Sequence, residues 1–288
     1  LGRMLRAGRI TRVGATCAPN TISASTLAAV AAPIEQVDEI AAIIGEEPGV
    51  NHSYHREDVW NLWFVVTGPD RAFVDAALTR ISDRTGLRVL DLRLERPFNV
   101  DLGFRMSGTD GPGLPPAPRS IDLSVIRSGD AEILQALSRG LNVVSQPYAA
   151  LAAELARHEA DILKRIETLA AAGIISRLGV IVRHRALGWR SNAMVVWDIE
   201  PEHIEAAGPK LAAQTGVTLC YERRPVQGIW PYRLYCMIHA RSRDEALSHL
   251  SSAEALPELA GVPHKVLFST RCFKQTGALI ARKSERAA

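Results

Sequence analysis

"PGVNHSYHR" (residues 48–56) and "TGVTLCYER" (215–223) decide the fold, because they are one segment written twice. Tyr54 and Arg56 stand in the first where Tyr221 and Arg223 stand in the second. Further matches lie on either side. "GRITRVG" (8–14) matches "GIISRLG" (173–179), "NLWF" (61–64) matches "RLYC" (233–236), and "RPF" (96–98) matches "RCF" (271–273). The order is kept while the offset rises from 165 through 167 and 172 to 175, as small loop insertions would produce. Four matches in one register make an internal repeat, and 288 residues have room for two such units.

Each copy reads as a βαββαβ succession. In the second, the strand "NAMVVWDI" (192–199) leads to a helix starting near Pro201. The strands "TLCYERR" and "YRLYCMIHA" follow, then the helix "RDEALSHLSSAEAL" and the strand "HKVLFSTRCF". That order predicts an α+β fold of two ferredoxin-like modules, each a four-stranded antiparallel sheet with helices on one face. In the first copy an uncharged stretch, 13–34, follows the basic "LGRMLRAGRITR" and imitates a signal peptide. Pro19, Asn20 and several Ser and Thr interrupt it, and it is too polar to span a bilayer, so it is expected to be the first strand.

The boundaries expected are a first module at 1–106, a linker at 107–120, a helix-turn-helix at 121–178 and a second module at 179–288. The linker "SGTDGPGLPPAPRS" is rich in Pro and Gly. "DAEILQALSRGL" is an amphipathic helix, and two more helices follow with a tight turn near 157–159 and a stop at Gly173. Only "LGRMLRAG" precedes the first module, and Leu1 is not Met, so an equivalent helix-turn-helix is expected to be truncated or absent there.

Composition narrows the function classes. With 47% hydrophobic and 23% charged residues the chain is an ordinary globular one, and a net charge of +3 does not call for a polyanion partner. The four cysteines, Cys17, Cys220, Cys236 and Cys272, form no Cys-x-x-Cys, which fits a reducing, cytoplasmic setting without a zinc or disulfide framework. Between Gln146 and Ala172, Arg157, Lys164 and Arg165 face Glu154, Glu159, Asp161 and Glu167. A DNA reader needs positive charge for phosphate, so DNA is not the expected partner and the helices are expected to be structural.

A helix-turn-helix followed by βαββαβ resembles the Lrp/AsnC regulators. "GVIVRHRALGWRSNAMVVWD" (179–198), "GVTLCYERRP" (216–225), "WPYRLYCMIH" (230–239) and "NHSYHRED" with "NLWF" are similar to the sirohaem decarboxylases built on that fold. The resemblance covers nearly the whole chain and suggests a fusion of two subunit types. It implies conversion of sirohaem to 12,18-didecarboxysirohaem by loss of two acetate carboxyl groups, on the route to haem d1 or an alternative route to haem. It also implies no cofactor of the protein's own and no metal site, since the substrate carries the iron. A regulator sensing a small molecule and a non-catalytic tetrapyrrole carrier are the alternatives, and self-association is expected.

A flat polycarboxylate macrocycle needs guanidinium groups, apolar rings and a titratable group near the reacting acetate. Arginine suits the first need because its fork matches a carboxylate. Arg56, Arg183, Arg223 and Arg224 are the candidates, with Tyr54, Tyr221, Trp60 and Trp230 as ring contacts. Strand alternation puts His52, Tyr54 and Arg56 on one face and His55 on the other. His184 is the first candidate for proton donor or iron ligand, with His52 and His55 behind it. Against these stand plain structural roles: a solvent-facing turn for His184 and hydrogen-bonded strand edges for His52 and His55. His239 is expected to be a satisfied strand-end residue, and Arg96 and Arg271 either tie the last strands down or touch ligand. The two halves are expected to enclose one cavity shared by Arg56, His184 and Arg223.

Overall fold

The computed structural model describes residues 1–99, 120–182 and 184–281, with only the backbone of His184. The expected linker, apart from Ser120, and Arg183 lie outside the described residues. The first half runs α1 (Gly2–Arg6), β1 (Ile10–Cys17), β2 (Ala24–Val30), α2 (Val37–Glu46), β3 (Val50–Arg56), β4 (Leu62–Gly68), α3 (Arg71–Thr85), β5 (Leu90–Leu92) and β6 (Leu94–Asn99). Three helices follow: α4 (Asp130–Arg139), α5 (Pro147–Leu155) and α6 (Glu159–Ala171). The second half continues with β7 (Ile175–Val182), β8 (Ser191–Trp197), α7 (Pro201–Ala212), β9 (Val217–Arg223), β10 (Leu234–Ala240), α8 (Arg243–Glu254) and β11 (His264–Gln275).

Local chemistry sets the boundaries. The Asp70 carboxylate caps α3 by accepting from the Phe73 amide at 2.7 Å, and Gly86 ends the helix in the left-handed region (φ 67°). Ser242 caps α8 in the same way, accepting from the Glu245 amide. The segment expected as one strand at 13–34 is two, because the chain reverses after β1 through Asn20, whose φ is 55°. Each half therefore owns one strand more than βαββαβ.

Those extra strands pair with each other. β1 and β7 form an antiparallel ribbon with Gly14 opposite Gly179, the two glycines that the repeat equates. The repeat has thus become a local two-fold axis. The other strands, among the described residues, form one sheet in the order β5-β2-β4-β3-β11-β8-β10-β9-β6. Its first and last members are consecutive pieces of chain, so the sheet closes on itself. Closure comes from an exchange that the sequence did not announce. β5 pairs with β2 at home while β6 crosses to β9, with Leu94 opposite Arg223. β11 likewise pairs first with β8 and then with β3, with Arg271 opposite His55.

Alternation then sorts the side chains. Outward residues such as Phe64 and Val66 pack the first half's sheet against Ile40 and Ile44 of α2 and Ile81 of α3, and Val195 and Trp197 pack against Ile204 of α7 and Leu250 of α8. Inward residues from both halves (Trp63, Leu92, Val196, Trp230, Tyr235, Met237 and Leu267) fill the closed interior. Truncating one such ring would cost about 3–5 kcal/mol.

The helix-turn-helix packs on the ribbon through Ile133, Leu137, Ile166, Leu169 and Ala15. A Cβ on Gly14 would lie 2.4 Å from the Leu137 carbonyl oxygen, so this close approach requires glycine, whereas a Cβ on Gly179 would meet nothing within 4 Å. Three of its arginines are engaged. Arg165 grips the buried Asp130 at 3.0 Å through Nε, Arg157 meets Glu132 at 2.9 Å, and Arg139 meets Glu154. Among the described residues no helix is long and apolar enough to cross a membrane.

Candidate active site

β3 presents His52, Tyr54 and Arg56 to the inside of the closed sheet, as alternation requires. The His52 and Tyr54 rings lie 6.4 Å apart and nearly parallel, and the Arg56 guanidinium sits 5.7 Å from the Tyr54 ring centroid. Arg56 is 5% exposed; its Nη1 donates to the Leu267 carbonyl at 3.1 Å and to Asn192 Oδ1 at 3.2 Å. Burial pulls its pKa down to about 10, so it keeps its charge at neutral pH. His52 is pushed down to about 4, first by burial and then by the Arg12 charge, and is neutral at that pH. Burial raises the Tyr54 phenol. His55 faces the other way, bonded to Thr270 Oγ1 at 2.5 Å, where burial and Arg271 lower its pKa.

A groove of about 220 Å³ opens beside this row, lined by Glu57, Arg190, Asn192, Arg241, Arg243 and Ser269 among others. Arg185, one residue beyond His184 in the single-turn 3-10 helix His184–Leu187, donates to the Ser269 carbonyl at 2.7 Å and bears electrostatically on Tyr54 and Arg56. Arg243 is matched by Glu57 through two bonds of 3.0 and 2.8 Å. The guanidinium groups of Arg190 and Arg241 form no ion pair among the described residues; Arg241 lies over the Trp189 ring at 5.9 Å, and its backbone amide donates to Glu245 Oε2 at 2.7 Å. The groove is therefore a concentration of guanidinium charge that carboxylates would neutralise.

A second groove, of about 460 Å³, occupies the place related to the first by the repeat. It is lined by Asn20, Ser23, Ser25, Asp70, Arg71 and Arg93 among others. Ser25 stands where Asn192 stands, Asp70 where Ser242 stands and Arg71 where Arg243 stands. Here both arginines are already matched: Arg71 meets Asp91 at 2.7 Å, and Arg93 meets Asp91 at 2.8 Å and Asp75 at 3.4 Å. This groove is the larger, but charge separates the two more sharply than volume does.

Among the described residues, Arg56 and Arg223 do not meet in one shared cavity. The space between the halves is filled by the inward aromatic residues, and the expected site residues divide between the two ends. Arg56 and the turn that begins at His184 flank the first groove. Arg223 lies on the other side of the two-fold, 4.5 Å from the Tyr221 ring, with Nη1 donating to the Leu92 carbonyl at 2.7 Å. Arg224 is exposed and paired with Glu95 at 3.3 Å. Trp230, 1% exposed, donates from Nε1 to the Tyr235 hydroxyl at 2.7 Å and packs on Trp63; Tyr221 is buried in the same cluster. Both belong to the buried cluster. Trp60 packs partly buried on that cluster. Arg96 and Arg271 do tie strands down, to Glu222 at 3.3 Å and Asp38 at 2.6 Å.

Sequence reasoning missed Arg185, Arg190 and Arg241. The available signal was the repeat itself, since Arg190 replaces Ser23 and Arg241 replaces Pro69. It read His239 correctly as hydrogen-bonded: Nε2 lies 2.7 Å from Asn192 Nδ2 and Nδ1 2.7 Å from Thr218 Oγ1. Among the described residues no group of three or more His, Cys, Asp or Glu is placed to hold a metal.

Comparison with known proteins joins these observations. The family model for the AsnC-like ligand binding domain matches residues 22–98 and 186–274, and that for the siroheme decarboxylase NirDL-like HTH domain matches 130–175. The chain is 56% identical to the siroheme decarboxylase NirDL subunit of Paracoccus pantotrophus, over 98% of this chain and 86% of that one. It is 26% identical to the siroheme decarboxylase of Hydrogenobacter thermophilus, over 84% of this chain and 72% of that one. Among solved structures, that of the siroheme decarboxylase NirDL superposes with a TM-score of 0.69 at 22% identity, covering 96% of this chain and 81% of that one. The same protein has also been solved in co-complex with an iron-uroporphyrin III analogue, with a TM-score of 0.68.

Proposed function

The chain belongs to the sirohaem decarboxylases of the fused type, with two AsnC-like halves on one polypeptide, and on that premise we propose that its groove beside Arg56 is where sirohaem is decarboxylated. The product is 12,18-didecarboxysirohaem, on the route to haem d1. The observation that carries the placement is the pair of unmatched arginines, Arg190 and Arg241, at the mouth of one groove, while the related groove has its arginines neutralised. A charge-assisted bond from guanidinium to carboxylate contributes about 1.5–3 kcal/mol, so two such bonds favour one groove by a large factor.

The chemistry assigns work to these residues. Each decarboxylation breaks the bond between a methylene and its carboxyl group, releases carbon dioxide and leaves the electron pair on a carbon attached to the macrocycle. A proton then converts that carbon to methyl. An arginine clamped on the departing carboxylate would stabilise the ground state, so Arg190 and Arg241, with Arg185 and Arg56 behind them, hold the carboxylates that stay. A histidine supplies the proton, because its charge changes near working pH. His184 has the right backbone place for this, on the turn beside Arg185. His52, held neutral by burial and Arg12, would gain proton affinity when a polycarboxylate settles near it. The iron arrives with the substrate.

The pairing of Arg139, Arg157 and Arg165 with acids of the helix-turn-helix favours a packing role over DNA reading. Incubating the protein with sirohaem without oxygen and weighing the product tests the function. Loss of two carboxyl groups is expected; an unchanged mass would leave a carrier, and would overturn the proposal.

A further inference from the structure

The two-fold treats Arg56 and Arg223 alike through the backbone and differently through side chains. Each Nη1 donates to a carbonyl of a last strand, Leu267 for Arg56 and Leu92 for Arg223, and each Nε is buried without a partner among the described residues. Among the described residues only Arg56 has a side-chain acceptor as well, Asn192 Oδ1 at 3.2 Å. Asn192 leads on to His239, and His239 to Thr218. In the first half the places of Asn192 and His239 are taken by Ser25 and Thr67. Ser25 donates to Asn20 Oδ1, and Thr67 Oγ1 donates to the Gly49 carbonyl and accepts from the Leu279 amide.

The direction of every bond in this chain is set by its first member. A guanidinium only donates, so Asn192 must turn Oδ1 toward Arg56 and Nδ2–H toward His239. His239 Nε2 must then be a bare acceptor, which puts its proton on Nδ1, facing Thr218 Oγ1. Thr218 accepts that proton's bond and passes its own hydroxyl hydrogen to the Met237 carbonyl at 3.1 Å. Asn192 and His239 are buried, 6% and 3% exposed, so water does not compete. The relay runs from Thr218 on β9 through His239 on β10 to Asn192 on β8, and ends on Arg56 in the other half. It exists on the side of the two-fold where the groove carries unmatched arginines.

We infer that Asn192, His239 and Thr218 are positioning residues that fix the Arg56 guanidinium for a substrate carboxylate, an inference that rests on the groove beside Arg56 being the substrate site. His239 does not line the groove, whereas Asn192 does, so the Arg56→Ala background is what tells an effect relayed through Arg56 from one exerted by Asn192 itself.

Two measurements separate this inference from the reading beneath it. Nitrogen-15 NMR of the ligand-free protein should show His239, assigned with His239→Gln, as the neutral ring protonated on Nδ1. A ring protonated on Nε2, or on both nitrogens, overturns the relay whatever the substrate does. Sirohaem affinity, read anaerobically from its visible absorbance, should fall roughly 10-fold in His239→Leu. It should recover most of that in His239→Gln, whose side-chain carbonyl still accepts from Asn192. Thr218→Val removes only the far end with little change in volume and should cost roughly 3-fold, which keeps the relay testable if His239→Leu does not fold. In an Arg56→Ala background each of these losses should vanish. Equal losses in both backgrounds, or no loss from either variant in the native background, overturn the relay. Unchanged affinity in Arg56→Ala alone instead overturns the groove assignment, and the ring tautomer then decides the relay by itself.

Discussion

The groove beside Arg56 and the groove near Arg223 occupy equivalent places on one duplicated scaffold, yet they differ in what surrounds their arginines. Near Arg223, the groove arginines Arg71 and Arg93 are matched by Asp75 and Asp91. Near Arg56, the guanidinium groups of Arg190 and Arg241 form no ion pair among the described residues, while Glu57 in the same lining is held by Arg243 and Glu245 accepts from the Arg241 backbone amide. The shared features, a strand arginine over a tyrosine and bonded to a last-strand carbonyl, belong to the fold. The unshared ones set the two grooves apart, and the proposed site rests on them. In a duplicated chain the departures from the repeat are therefore better guides to a site than the repeats are.

That contrast can be broken by experiment. The largest effect should come from His184→Ala, with kcat falling by roughly 10²–10⁴ while sirohaem still binds, as loss of a proton donor predicts. Normal turnover would remove His184 from the chemistry. Next, reversing both mouth charges with Arg190→Glu and Arg241→Glu should weaken binding by roughly 100-fold or more, measured by titration. The related pair Arg71→Ser and Arg93→Ser should change it by less than about 3-fold. Equal losses from the two pairs would make the grooves equivalent.

The ribbon offers the same comparison in stability. Gly14→Ala forces a Cβ to within 2.4 Å of the Leu137 carbonyl oxygen and should destabilise the protein by about 2–4 kcal/mol in denaturant unfolding. Gly179→Ala, with nothing within 4 Å, should change stability by less than about 0.5 kcal/mol.

The smallest effect concerns His52, at the place that is Leu219 in the other half. Its folded pKa of about 4 lies below the ordinary 6.5, so the unfolded chain binds more protons between those values. Its contribution is complete above pH 6.5 and is lost as pH falls through 6.5 toward 4. His52→Leu should flatten the stability profile in that window by about 1–3 kcal/mol; an unchanged slope would mean that His52 titrates as an exposed residue does.

Much of the scaffold was legible because strand alternation and helix caps are local. Residues 217–223 and 234–240 became strands close to where their patterns placed them, and the inward row of His52, Tyr54 and Arg56 followed from period two alone. Partner choice is not local, and so the crossing of β6 and β11 between halves left no trace in the sequence. The site was half legible for a related reason. Aromatic residues beside polar ones mark both the inside of a closed sheet and a ligand wall, and Trp230 and Tyr221 lie in the buried cluster of the closed sheet. Arg190 and Arg241 were passed over because a lone arginine at a strand end resembles ordinary surface; only position on the two-fold singles them out.

The central claim is that one of two equivalent grooves takes the substrate. Hydrogen–deuterium exchange with and without sirohaem, combined with a binding stoichiometry, tests it most directly. One sirohaem per chain is predicted, with protection in peptides covering residues 184–192 and 241–243 and none at 20–25 or 69–71. Two per chain, or protection centred on 20–25, would contradict it.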